Sequence, residues 1–141
     1  MKVLFICKYN AGRSRMAEAF FNKLSKKNKA TSAGIGSNVS SASCWAGIGA
    51  TATVMKESGI NVPRKLGRAV TRKDVESADR IIVLLDKKQR HILPKYITTS
   101  PKVEYHEIQD SDARAADFLD QQRRNRDLVK EIVEELIKEI G

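Results

Sequence analysis

Near the amino terminus a cysteine, an arginine and a serine stand in the order Cys7-x5-Arg13-Ser14, with Asn10 and Gly12 between them. Residue types at this spacing suit chemistry on a tetrahedral oxyanion. An arginine presents a planar fork that meets two of its oxygens. Asn10 and Gly12 tolerate positive φ, so Lys8-Tyr9-Asn10-Ala11-Gly12-Arg13 can close into a tight phosphate-binding loop with its backbone N–H groups turned inward. The same positive field favours the thiolate of Cys7, which is the nucleophilic form. The Ser14 hydroxyl can donate to that thiolate, or to the sulfur as it leaves. A thiolate at the floor of a phosphate cradle points to attack on phosphorus through a covalent cysteinyl-phosphate. A Walker-type nucleotide loop is disfavoured, because it needs Gly-Lys-Ser/Thr before the helix. The plain alternative for Cys7 is an inert core cysteine.

Such a site needs a strand to carry the cysteine and a helix that begins near the arginine. Val3 to Ile6 is an apolar run that reads as a buried strand, and Met16, Ala17, Phe20, Phe21 and Leu24 recur at helical spacing, predicting a helix from Ser14 to Lys27. Lys29 to Ala33 reads as a second strand ending at Gly34, followed by a Gly/Ser/Asn-rich loop to about Ala46. A helix from Ala46 to Ser58 follows, with Val54 and Met55 inward and Gly59 at its carboxyl cap. Residues 61–70 form a basic connection. Thr71-Arg72-Lys73-Asp74 resembles a capping box that opens a short helix to Ser77. Arg80 to Leu85 is continuously apolar after its first residue, as a central parallel strand is. A short helix over Lys87 to Ile92, stopped by Pro94, precedes a fourth strand at Val103 to Ile108. A last helix starts after Asp112, with an apolar face of Leu128, Val129, Ile132, Val133, Leu136, Ile137 and Ile140. Strands alternating with helices predict a single-domain α/β fold over residues 1–141, its mainly parallel sheet covered on both faces. Ligands of such sheets bind at the carboxyl ends of the strands, which places Cys7, Gly34, Asp86 and Asp110 on one rim.

The chain has 141 residues, enough for one domain with a real core. A formal net charge of +9 favours anionic partners. The basic residues are scattered in small groups without interleaved aromatics, so a solvated surface explains most of the charge and a specific nucleic-acid groove is not expected. Two cysteines, Cys7 and Cys44, make neither a disulfide framework nor a metal site. No apolar run reaches transmembrane length and the amino-terminal one is too short for a signal peptide. The expected compartment is the reducing cytoplasm.

Cleaving a phosphomonoester requires a proton for the departing oxygen, and Asp110 or Asp112 above the nest can supply it; the competing reading is that Asp110-Ser111-Asp112 caps the last helix. His91 and His106 are read as structural. Trp45 is read equally as core or as an aromatic wall at the site mouth. Cys44 is read as a small apolar residue at the start of the second helix.

Taken together, these landmarks resemble the low-molecular-weight protein tyrosine phosphatases and the arsenate reductases that share their fold. The resemblance rests on Cys7-x5-Arg13-Ser14 with Asn10, the Ser32-Ala33-Gly34 turn, Val54-Met55-x3-Gly59-Ile60, Ala78 to Asp86, and an aspartate before the final helix. It implies a four-stranded parallel sheet flanked by helices, with Cys7 as nucleophile, Arg13 as oxyanion clamp, Ser14 as thiolate partner and Asp110 as general acid. It further implies that Asn10 holds the loop through its side chain, and that neither metal nor organic cofactor takes part. The chain departs from the phosphatase pattern at Tyr9, where glycine is usual, at Gly12, where a second cysteine is usual, and at Ser111-Asp112-Ala113, where proline and aromatics are usual. The Asn-Ala-Gly-Arg-Ser-x-Met-Ala-Glu wording leans towards the reductases, yet Leu84 to Pro94 lacks the further cysteines of the thioredoxin-linked ones. Three activities follow as hypotheses. The favoured one is a hydrolase of phosphotyrosine proteins or small phosphomonoesters, with inorganic phosphate or arsenate as ligand. The second is an arsenate reductase resolved by an external thiol or a glutaredoxin-like partner. The third is a non-catalytic phosphate-binding module, which would need neither thiolate nor acid.

Overall fold

Val3, Leu4, Phe5 and Ile6 are apolar on both sides of a strand, an arrangement that is stable only where both sheet faces are covered. In the computed structural model, which describes residues 1–141, they lie within β1 (Lys2–Cys7) at an interior position of a four-stranded parallel sheet. β2 (Lys29–Gly34) flanks it on one side, and β3 (Arg80–Leu84) and β4 (Val103–His106) on the other, in the order β2-β1-β3-β4. Register pairs Cys7 with Gly34 and Ile6 with Val83, so the strand ends gather at one rim.

Side chains alternate between the two faces, as the pleat requires. Val3, Phe5, Ile82 and Leu84 face α1 (Arg13–Leu24), α2 (Trp45–Glu57) and α5 (Phe118–Ile140), packing with Phe20, Phe21, Met55, Val129 and Val133. Leu4, Ile6, Ile81, Val83 and Leu85 face the opposite layer, which holds α3 (Arg72–Ser77) and α4 (Lys95–Thr98) with Val75 and Ile97. Gly59 has φ of 75° and closes α2 by two bonds, its own N–H to the Lys56 carbonyl and the Ile60 N–H to the Met55 carbonyl, the Schellman pattern. Thr71 and Asp74 exchange both bonds of a capping box at α3. Glu57 ties α2 to α5 through Arg123 and Arg126, whose hydrogen bonds hold its carboxyl at about 2. That contribution to stability is complete above the ordinary carboxylate range and disappears as the pH falls through about 2.

The structure corrects several expected boundaries. α1 ends at Leu24 rather than Lys27, because Ser25 turns to extended backbone and its hydroxyl accepts the Asn28 N–H at 3.2 Å. β4 stops at His106, opposite the last residue of β3, and Ile108 lies beyond the ladder with its carbonyl turned to Arg13. Lys87–Ile92 is a 3-10 helix, and Pro94 both follows it and caps the unanticipated α4. The last helix starts at Phe118, so the Asp110–Asp112 segment is not its cap. Leu128 is 47% exposed and does not belong to the buried face of α5, which is centred on Val129, Val133 and Leu136. No helix is long and apolar enough to cross a membrane.

Candidate active site

The loop between β1 and α1 is shaped by Asn10, the single non-glycine residue with positive φ (52°). The side chain of Asn10 is 3% exposed and satisfied on three sides. Its Nδ2 donates to Ser14 Oγ at 2.8 Å and Ser32 Oγ at 2.9 Å, and its Oδ1 accepts the Arg68 N–H at 3.1 Å. The loop carbonyls turn outward. Lys8 O accepts from the N–H groups of Ile35 and Gly36, Ala11 O from Thr51 Oγ1 at 2.7 Å, and Gly12 O from the Met16 N–H. The N–H groups of Tyr9, Asn10, Ala11 and Gly12 make no hydrogen bond within the protein. Backbone donors left free in this way, next to the orphan N–H groups of the first turn of α1, are available to an anion.

Cys7 Sγ lies 3.0 Å from Ser14 Oγ. With the Asn10 amide already donating to that oxygen, the Ser14 hydrogen is directed to the sulfur whenever Cys7 is a thiolate. Arg13 is 4% exposed. Its Nη1 donates to Ile108 O at 2.9 Å and to Gln89 Oε1 at 3.1 Å, and its Nη2 lies 3.4 Å from Asp110 Oδ1. Gln89 Nε2 in turn donates to Asp110 Oδ2 at 2.9 Å. One cleft of about 430 Å³ is bounded by Cys7, Arg13 and Asp110, with the rings of Tyr9 and Phe118 on its walls and the Gln122 amide beside Gly12.

Of the expected site residues, Cys7, Tyr9, Ala11, Gly12, Arg13 and Asp110 line this cleft, and Ser14 sits behind the sulfur. Lys8 and Asn10 do not line it: the Lys8 ammonium rests 4.8 Å from the Tyr9 ring centroid, and the Asn10 side chain points into the structure. Asp112 also reaches the cleft, but its Oδ1 accepts the Arg114 N–H at 2.9 Å and it makes no bond to Arg13. Trp45 is neither core nor cleft wall, being 47% exposed and outside the lining. His106 bonds Glu104 at 2.7 Å, and neither histidine lines the cleft. Cys44 packs with Ala11 and Ile48 at the entrance to α2, as a small apolar residue there would, and also lines the cleft. No group of three or more His, Cys, Asp or Glu side chains is placed to hold a metal.

Sequence reasoning missed Thr51, Gly67, Arg68, Gln89, Phe118 and Gln122. Gly67 carries no local motif, yet a Cβ there would lie 2.6 Å from Asn10 O and 2.8 Å from Asn10 Cβ. Gly67→Ala is therefore expected to push Asn10 off its three bonds and raise KM for a phosphate ester by about tenfold, a loss near that of one buried hydrogen bond to a site. Steady-state kinetics together with a thermal melt check this; an unchanged KM shows that the loop tolerates the intrusion.

The family model described as low molecular weight phosphotyrosine protein phosphatase matches residues 2–141. No curated protein matches the chain. Among solved structures, an arsenate reductase in its phosphate-binding state is 30% identical, with a TM-score of 0.78 over 99% of this chain and 98% of that one. An arsenate reductase from Archaeoglobus fulgidus is 27% identical, with a TM-score of 0.69 over 96% of this chain and 98% of that one. The YwlE arginine phosphatase from Geobacillus stearothermophilus, 19% identical over 99% of this chain and 92% of its own, shares the fold with a TM-score of 0.74.

Proposed function

The chain belongs to the low molecular weight phosphotyrosine protein phosphatase family and is a cysteine-dependent phosphatase; on that premise we propose that it hydrolyses protein phosphotyrosine, or a small phosphomonoester, at the Cys7 loop. The observation that carries this reading is the set of unpaired N–H groups in the loop that follows Cys7, with Cys7, Arg13 and Asp110 lining the same cleft.

In the proposed reaction the nest and Arg13 bind the three non-bridging oxygens, where charge gathers. The Cys7 thiolate attacks phosphorus, the bond to the ester oxygen breaks, and Asp110 gives its proton to that oxygen. Water then attacks the cysteinyl-phosphate, Asp110 takes its proton, and the sulfur–phosphorus bond breaks. The electron pair returns to a sulfur already hydrogen-bonded by Ser14. Tyr9 and Phe118 offer aromatic walls to the leaving group. The proposed place of action is the reducing cytoplasm, which suits two free thiols.

Arsenate reduction is the second reading, favoured by Cys44 standing in the wall of the same cleft. For Cys44 to resolve an adduct on Cys7, the two Cα atoms must come within about 7 Å. At rest its Sγ instead donates to the Asn38 carbonyl at 3.2 Å. Hydrolysis of p-nitrophenyl phosphate and of a phosphotyrosine peptide, assayed beside thiol-dependent arsenate reduction, separates the two. We expect hydrolysis, no thioredoxin-dependent reduction, and phosphatase activity in Cys44→Ser within about twofold of the parent, since no step uses that thiol. A Cys7–Cys44 disulfide after mild peroxide, reversed by thioredoxin with recovery of activity, overturns this expectation.

A further inference from the structure

Gln122 is a buried amide that the reaction described above leaves unused. Its side chain is 4% exposed and enters, from α5, the cleft that Cys7, Arg13 and Asp110 line. The two ends of the amide differ. Oε1 accepts the Ser111 hydroxyl at 2.8 Å. Nε2 has no partner within the protein and is open to the cleft.

A chain of hydrogen bonds fixes which end is which. Asn125, 8% exposed, donates from Nδ2 to the Gln109 carbonyl at 2.9 Å and to Ser111 Oγ at 3.1 Å. Having accepted from Asn125, the Ser111 hydroxyl turns its one hydrogen to Gln122 Oε1. The amide therefore presents an N–H donor to the cleft. Its place is set from two sides. A Cβ on Gly12 would lie 3.6 Å from Nε2, so the donor stands against the loop residue just before Arg13. Ser111, its anchor, directly follows Asp110. The loop and Arg13 already supply donors for the non-bridging oxygens, and Asp110 serves the leaving oxygen. The water that enters afterwards needs a group to aim it at phosphorus.

We infer that Gln122 is a further catalytic residue of the covalent reaction proposed above, on which the inference depends: Nε2 donates to the water that hydrolyses the cysteinyl-phosphate. The water oxygen bonds to phosphorus, the sulfur–phosphorus bond breaks with its electron pair going to Cys7, and one water proton passes to Asp110. The amide neither gains nor loses a proton. It holds the oxygen while Asp110 holds one hydrogen, which leaves a lone pair directed at phosphorus.

The test is Gln122→Met, which keeps length and removes the donor, assayed on p-nitrophenyl phosphate. The step in question follows departure of the nitrophenolate, whereas kcat/KM counts only events up to the cysteinyl-phosphate. So kcat and KM should fall together by about tenfold, the worth of one hydrogen bond, with kcat/KM within about threefold of the parent. The nitrophenolate burst should grow, and acid-quenched protein should carry a phosphoryl group on Cys7 by mass spectrometry. The dependence of kcat/KM on leaving-group pKa should not change. Gln122→Asn, which draws the amide back by one methylene and disturbs the fold less, should show the same pattern. An unchanged kcat overturns the inference. So does a kcat/KM that falls as far as kcat, or a steeper leaving-group plot, because the amide then only braces Asp110 through Ser111. A raised Ki for phosphate with kcat preserved also overturns it and makes Nε2 a donor to the bound oxyanion. If neither variant folds, the amide is structural and the inference falls. A parent protein with no turnover and no phosphoryl group on Cys7 overturns the hydrolase reading instead.

Discussion

Cys7→Ser is expected to abolish turnover, by about 10⁴-fold or more, because removing the nucleophile of a covalent mechanism forfeits nearly all of its acceleration. The change replaces one sulfur by oxygen at a position that is 2% exposed, so core volume is almost conserved. The hydroxyl can still bond Ser14 Oγ, and Asn10 still bonds Ser14 and Ser32. The thermal midpoint should move little, and phosphate should still raise it, since the unpaired N–H groups and Arg13 remain. In the parent protein, iodoacetate should alkylate Cys7 and inorganic phosphate should protect it. Residual activity above about 1% in Cys7→Ser would remove the covalent pathway. Indifference of the alkylation to phosphate would remove the anion nest.

The parts legible in the sequence were those written locally. Val3 to Ile6 and Ile81 to Leu85 announce interior strands by being apolar without alternation, and both are buried in the sheet. Thr71 with Asp74, and Gly59 after α2, announce their caps because capping is decided within a few residues. Cys7, Arg13 and Ser14 meet because a strand end and a helix start are joined by a short loop. The illegible parts depend on distant chain. Gln89 bridges Arg13 and Asp110 from positions 76 and 21 residues away. Gly67 and Arg68 reach Asn10 from another connection, with no periodicity to mark them. The sequence places the start of the last helix only somewhere after Asp112, because Asp110 and Asp112 look like N-caps and the helix in fact begins at Phe118. In the structure the segment is instead strapped to α5 from the side. Ser111 Oγ donates to Gln122, the Asp112 N–H donates to Gln121, and Asn125 donates to Gln109 O.

That strap decides which aspartate is set over the nest, and it gives the second large effect. Asp110 is tethered by Gln89 and lies 3.4 Å from Arg13 at the edge of the cleft, which is where the proposed reaction needs its acid. Asp112 is turned to the Arg114 N–H and is more exposed, at 61% against 37% for the side chains. A nitrophenolate leaves without help, whereas an alkoxide must be protonated as it goes. Asp110→Asn keeps the acceptor for Arg13 and removes the proton. It is expected to slow p-nitrophenyl phosphate by less than about tenfold and an alkyl or unsubstituted phenyl phosphate by about 10²–10⁴-fold, the range of general acid catalysis. The plot of log kcat/KM against leaving-group pKa should therefore steepen in Asp110→Asn, while Asp112→Asn should lie on the parent line. If Asp112→Asn steepens instead, the loop closes in the substrate complex with its carboxylates exchanged, and Asp110 serves to hold Arg13. If neither steepens, the proton comes from water, and the pairing of Asp110 with Arg13 and Gln89 is a structural brace at the sheet rim.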